Sequence, residues 1–206
     1  MINTKQLRCF IGGLGMALPV IVVVLSLIYG YGFPDSISAT YFIPTCITPF
    51  MIILGSAGIL LVCYRGYNKV DNVLNTIAGL AAWGVCLFPC AAQRGHIGTF
   101  QLDASVSDII HTVSALVFFG ILAYNSLFQF TKGMPVPTLE KKKRNIIFRI
   151  CGLGMIASFV LLPLVKFGIL NIPHVIWVIE FIALWFFGIS WITKANCIPF
   201  LFCDKE

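Results

Sequence analysis

Residues 50–64 read FMIILGSAGILLVCY, a run with no charge and no alternation of apolar with polar positions. A strand of a membrane barrel alternates between its lipid and lumen faces. An unbroken apolar run satisfies its backbone in lipid only as a helix. The run lies in a longer gap, since 29 uncharged residues separate Asp35 from Arg65. Similar gaps hold 26 residues between Arg8 and Asp35, 22 between Asp71 and Arg94, and 23 between Asp108 and Lys132. A helix needs about 20 residues to cross a hydrocarbon core of about 30 Å. Residues 146–165 and 175–193 add two more spans, the last interrupted by Glu180. The reading is an all-α polytopic transmembrane helical bundle, one domain over 1–206. Its six spans fall at about 10–31, 44–64, 73–90, 105–130, 146–166 and 175–193, with Pro89 in the final turn of the third.

Composition agrees with this reading. The 206 residues are 59% hydrophobic and 11% charged, against about 25% charged in soluble domains. So little charge excludes a soluble enzyme, a nucleic-acid binder and a disordered segment. With the first residues in the cytoplasm, twelve of the 14 basic residues fall on the cytoplasmic side, leaving only Arg94 and Lys166 outside. That bias satisfies the positive-inside rule, so both termini are expected in the cytoplasm and the protein in the cell inner (cytoplasmic) membrane. The basic run KKKRN (141–145) is then a topology anchor beside anionic lipid, not a nucleic-acid patch. Membrane lipids are the expected partners. Oligomeric state stays open, a homo-oligomer included.

The remaining polar groups gather near the outer face. Asp108 and His111 are three residues apart, and Ser107 and Ser114 flank the histidine at helical spacing. This stripe on an apolar helix should face the bundle interior or an aqueous vestibule. Glu180 aligns with Ala183, Leu184, Phe187 and Gly188, so it should point inward and need a partner from another span. The first outer loop carries Asp35, Ser36, Ser38, Thr40 and Tyr41, and the second carries Arg94 beside His96. Asp35, Ser38, Tyr41 and Arg94 are candidates for a substrate or lipid headgroup. His111, His174 and His96 supply the ligand inventory of a zinc site with an open position. Asp108 or Glu180 would orient or deprotonate its water. Ser36, Ser38 or Ser107 could serve a serine hydrolase, although no G-x-S-x-G elbow is present. The eight cysteines do not read as a disulfide scaffold: most are expected to be small apolar fillers, with a bond from Cys46 to Cys86 or Cys90 left open.

Six stretches carry a resemblance: DSISATYF (35–42), YRGYNKVDNVLNTIAG (64–79), LFPC (87–90), HTVSALVFFGILAYNSLF (111–128), KKKRNIIFRICG (141–152) and EFIALWFFGISWITKA (180–195). Across nearly the full chain the sequence resembles a bacterial family of uncharacterised six-span integral membrane proteins, which implies topology rather than chemistry. The S-x3-H pair Ser107–His111 is also similar to a motif of the membrane-hydrolase superfamily that includes the alkaline ceramidases and the progestin/adiponectin-type receptors. That likeness implies zinc held by histidines and an acidic residue, comparable to Asp108, with Ser107 nearby. The chain departs from the superfamily in having six spans and a single histidine, His174, in the last. Two functions follow. One is a metal-dependent hydrolase of a lipid or amphiphile. The other is a non-enzymatic protein for lipid binding, transport, sensing or assembly, with His111 and Glu180 as interhelical contacts or part of a proton-coupled path.

Overall fold

The computed structural model describes residues 3–133, 138–166, 168–169 and 172–196. Six helices are long and apolar enough to cross a membrane: α1 (Thr4–Ile28), α2 (Pro44–Cys63), α3 (Lys69–Leu87), α4 (Ala104–Tyr124), α5 (Leu139–Lys166) and α6 (Val175–Ala195). The protein is an all-α, six-span membrane bundle. Each helix packs against its neighbours in the chain, and α6 closes the ring onto α1. Side chains pointing away from the ring are apolar, with Ile109 64%, Leu80 62% and Val160 62% exposed. Such a surface is costly in water and ordinary against lipid.

Helix ends depart from the charge-gap reading where capping chemistry decides them. The first helix begins at Thr4, not near residue 10, because Asn3 and Gln6 form a capping box. α3 begins at Lys69, where the Asn68 side chain accepts from Asp71 N–H. It ends at Leu87, so Pro89 lies beyond its last turn and not inside it. The fifth helix extends to Leu139 through the basic run. Charge gaps measure the lipid-embedded length, whereas a helix continues into water wherever a cap supports it.

Small residues set two of the closest helix crossings. Gly58 on α2 faces Gly79 on α3, and Gly12 on α1 faces Gly188 on α6. A Cβ at Gly79 would lie 2.5 Å from the Gly58 carbonyl oxygen, and one at Gly12 would lie 2.7 Å from that of Gly188. Small residues allow helices in lipid to approach to van der Waals contact of their backbones. Inside the ring, Phe118 meets the edge of Phe187, and Trp191 packs against Tyr64 and Phe130.

A buried amide chain ties α3 to α4. Asn125 Nδ2 donates to Asn75 Oδ1 at 3.0 Å, and Asn75 Nδ2 donates to the Asp71 carbonyl at 2.7 Å. Asn125 opens a five-residue π-helical segment, Asn125–Gln129, that continues α4. Cys46, Cys63, Cys86, Cys90 and Cys151 are free thiols, as expected of fillers. Cys9 is disulfide-bonded and corrects that expectation. Cys197 and Cys203 lie outside the described residues.

Candidate functional site

At the end opposite the basic residues, the loop after α1 turns back into the bundle. Ser36 Oγ accepts from Ala39 N–H at 2.8 Å, and Thr40 Oγ1 donates to the Ile37 carbonyl. These bonds wind Ser38–Phe42 into a short 3-10 turn and leave the N–H groups of Ile37 and Ser38 without local acceptors. Glu180 of α6 accepts both through Oε2, the second at 3.3 Å. Its other oxygen, Oε1, accepts from Ser38 Oγ at 2.9 Å. The face expected for Glu180 is the buried one, since Ala183, Leu184, Phe187 and Gly188 all lie inside.

Ser38 has a second partner. Its Oγ lies 3.1 Å from Nε2 of His111 on α4, and the opposite ring nitrogen, Nδ1, lies 2.8 Å from the Phe88 carbonyl oxygen. His111 is 6% exposed. The chain leaving α3 is also held by Ser107 Oγ, which donates to the Pro89 carbonyl at 2.7 Å. Asp108 Oδ1 accepts from Ala91 N–H at 3.2 Å. Ser107, Asp108 and His111 thus bind the segment after α3, and His111 alone of these three reaches Ser38.

Hydrogen-bond roles count the protons. A carbonyl oxygen only accepts, so Nδ1 facing Phe88 carries a hydrogen. If Ser38 donates to Glu180, then Nε2 must donate to Ser38, and the ring is an imidazolium beside a carboxylate. If Ser38 donates to Nε2 instead, the ring is neutral and the Glu180 contact requires a protonated carboxyl. Both arrangements contain one proton beyond a neutral imidazole and a carboxylate. Both have zero net charge, which suits a site surrounded by apolar helices.

The other expected site residues lie elsewhere or face other partners. His174 takes a left-handed conformation before α6, with Nδ1 3.2 Å from Asp35 Oδ1 and 3.2 Å from the Pro34 carbonyl. The Asp35 carbonyl accepts from Trp177 N–H, so this pair staples the first loop to α6. His96 stands exposed on the short strand β1 (His96–Ile97), paired with β2 (Leu102–Asp103). Arg94 is exposed in the preceding loop. Asp103 caps α4, and hydrogen bonds from Ser105 hold its carboxyl below the usual range. Tyr41 is 8% exposed, its ring against Phe42 and Phe50, and so belongs to the core. Cys90, just outside α3, has its thiol pushed up to about 12, mainly by burial and then by the carboxylates of Glu180 and Asp108. It is no thiolate nucleophile at neutral pH.

Zinc has a poor fit in this arrangement. Among the described residues, no group of three or more His, Cys, Asp or Glu side chains could hold a metal ion. Both ring nitrogens of His111 already face polar partners, and His174 and His96 sit in separate settings. The Ser38–Glu180 pairing was missed because the two are 142 residues apart, and the DSIS stretch offered only a polar cluster as a signal. No protein-family model, curated protein or solved structure matches the chain, so what is established is a six-span helical membrane protein.

Proposed function

We propose that the protein is a proton-responsive membrane protein, non-enzymatic, serving transport or sensing through one proton shared by Glu180, Ser38 and His111. The single observation that carries this reading is the position of Ser38 Oγ, 2.9 Å from the carboxylate and 3.1 Å from the imidazole. The hydroxyl can pass a proton between groups on α6 and α4 without a change in net charge. Moving that proton reverses the hydrogen bonds on both sides of Ser38. The state of the site is therefore coupled to two helices and to the first loop. In this reading the protein lies in the cytoplasmic membrane, basic end inward, with lipid around it.

The rival reading is a hydrolase of a lipid or amphiphile, favoured only by the Ser38–His111 contact. In a serine hydrolase the histidine stands between nucleophile and carboxylate. Here the serine stands between histidine and carboxylate. The backbone N–H groups of Ile37 and Ser38, which could stabilise an oxyanion, are both used by Glu180. No step through a metal is drawn, given the scattered histidines.

Infrared titration of the protein in liposomes tests the proposal. A protonated-carboxyl band should appear, vanish in Glu180→Gln, and be lost together with the imidazolium signal of His111 as the pH rises. A serine-directed fluorophosphonate should leave Ser38 unlabelled. Labelling abolished by Ser38→Ala, or a titration with no band dependent on Glu180, would overturn the proposal.

A further inference from the structure

The two ends of the bundle interior differ around Glu180. Along α6, Val178 and Ile182 face lipid, 44% and 40% exposed. Glu180 lies midway between them in sequence and so points to the opposite side of the helix. Its surface is nevertheless partly exposed, as is that of Ser38, so this accessible area faces an opening within the ring. Cys90 and Asp108, also partly exposed, stand beside it. The Cys90 thiol is close enough to feel the charges of both Glu180 and Asp108. From Cys90 the chain passes straight to Ala91 and Ala92, which are exposed. Water thus reaches the site from the end opposite the basic residues.

The titratable groups facing the site belong to this same end. α4 brings His111 and Asp108, and the segment after α3 brings Cys90. The first loop brings Asp35, paired with His174 of α6, and Tyr41, turned to Phe42 and Phe50. α2 brings Cys46, whose thiol donates to the Val22 carbonyl. Among the described side chains, α1, α2 and α5 bring no charged group to this end.

Towards the basic end the interior is filled by carbon. Phe118 lies seven residues beyond His111 on α4, and Phe187 seven beyond Glu180 on α6. Each ring therefore sits about 10 Å deeper along its helix. The two meet edge to face, centroids 5.9 Å apart, and each is 1% exposed. Leu122 and Leu184 belong to the same core cluster, and Phe187 continues into Trp191. The hydroxyls of Ser158 and Ser190 turn back to the Gly154 and Phe187 carbonyls of their own helices. A proton relay needs donors and acceptors within about 3 Å of one another, and an apolar interior stays dry.

We infer that the shared proton exchanges with one side only, that of the first and second loops, which makes the protein a sensor of pH on that side rather than a proton conductor. The inference rests on reading Glu180, Ser38 and His111 as one proton-holding site. Conduction would need a second opening, and the Phe118–Phe187 contact stands where it would run.

Oriented proteoliposomes of the full chain test it. One preparation presents the loop end to the bath and the other the basic end, sorted by protease removal of a tag at the N-terminus. Lumen pH is held by buffer while the bath is stepped from acid to alkaline. The readout is the protonated-carboxyl infrared band that Glu180→Gln removes. With the loop end in the bath, the band should follow each step. With the basic end in the bath, it should stay constant until a protonophore equalises the lumen. A trapped pH gradient should decay no faster than with Glu180→Gln. One-sided access is contradicted by a band that follows the bath from the basic end, by one that ignores it from the loop end, or by faster decay of the gradient, and each of these leaves the shared proton intact. A band that responds from neither side even after the protonophore contradicts the shared proton itself, and the inference with it.

Discussion

Glu180→Ala should lose about 3 kcal/mol of stability, whereas Glu180→Gln should stay within about 1 kcal/mol of the parent, measured by denaturant unfolding in mixed micelles. Alanine strands the Ile37 and Ser38 N–H groups and the Ser38 hydroxyl together. Each buried unpaired group costs about 1–3 kcal/mol. Glutamine keeps an oxygen for the two N–H groups and turns its amide donor towards Ser38. The serine can then donate to His111 Nε2, which reproduces the protonated-carboxyl arrangement with no proton left to move. A purely structural carboxylate, bound only as an anion, would lose much more with glutamine. The gap between the two variants therefore separates a proton-holding site from an anionic brace.

The second large effect concerns the crossing of α2 and α3. Gly79→Ala should destabilise by about 2 kcal/mol, in the usual range for overpacking. Its Cβ would meet the Gly58 carbonyl oxygen at 2.5 Å and Val62 Cγ2 at 2.7 Å. A backbone oxygen cannot rotate aside, so the helices must separate. Gly55→Ala on the same α2 is the control. A Cβ there meets nothing within 4 Å, and alanine is the better helix former by about 1 kcal/mol. It should be neutral or slightly stabilising in the same unfolding measurement.

The membrane spans were legible because lipid forbids charge over a fixed length, and charge gaps record that length. The inward face of Glu180 was legible from helical periodicity, which α6 follows. Its partner was not, since no pattern within α6 indicates which loop folds back over it. Ser38 was visible only as part of a polar loop and was assigned to headgroup contact alongside Tyr41, whose ring instead fills the core. The Phe88 carbonyl opposite His111 was invisible for a deeper reason. A main-chain acceptor has no residue signature, and the end of α3 that frees it falls two residues before Pro89.

Nitrogen NMR of the protein in liposomes, with histidine labelled at both ring nitrogens, tests the shared proton most directly. Only His96, His111 and His174 contribute, and His111→Asn identifies the signal. Across the titration, Nδ1 of His111 should remain protonated, because it faces the Phe88 carbonyl. Nε2 and the Glu180 carboxyl should lose their shared proton together as the pH rises. In Glu180→Gln, Nε2 should stay unprotonated while the ring remains neutral. A neutral ring with its hydrogen on Nε2 and bare Nδ1 would contradict the shared-proton account.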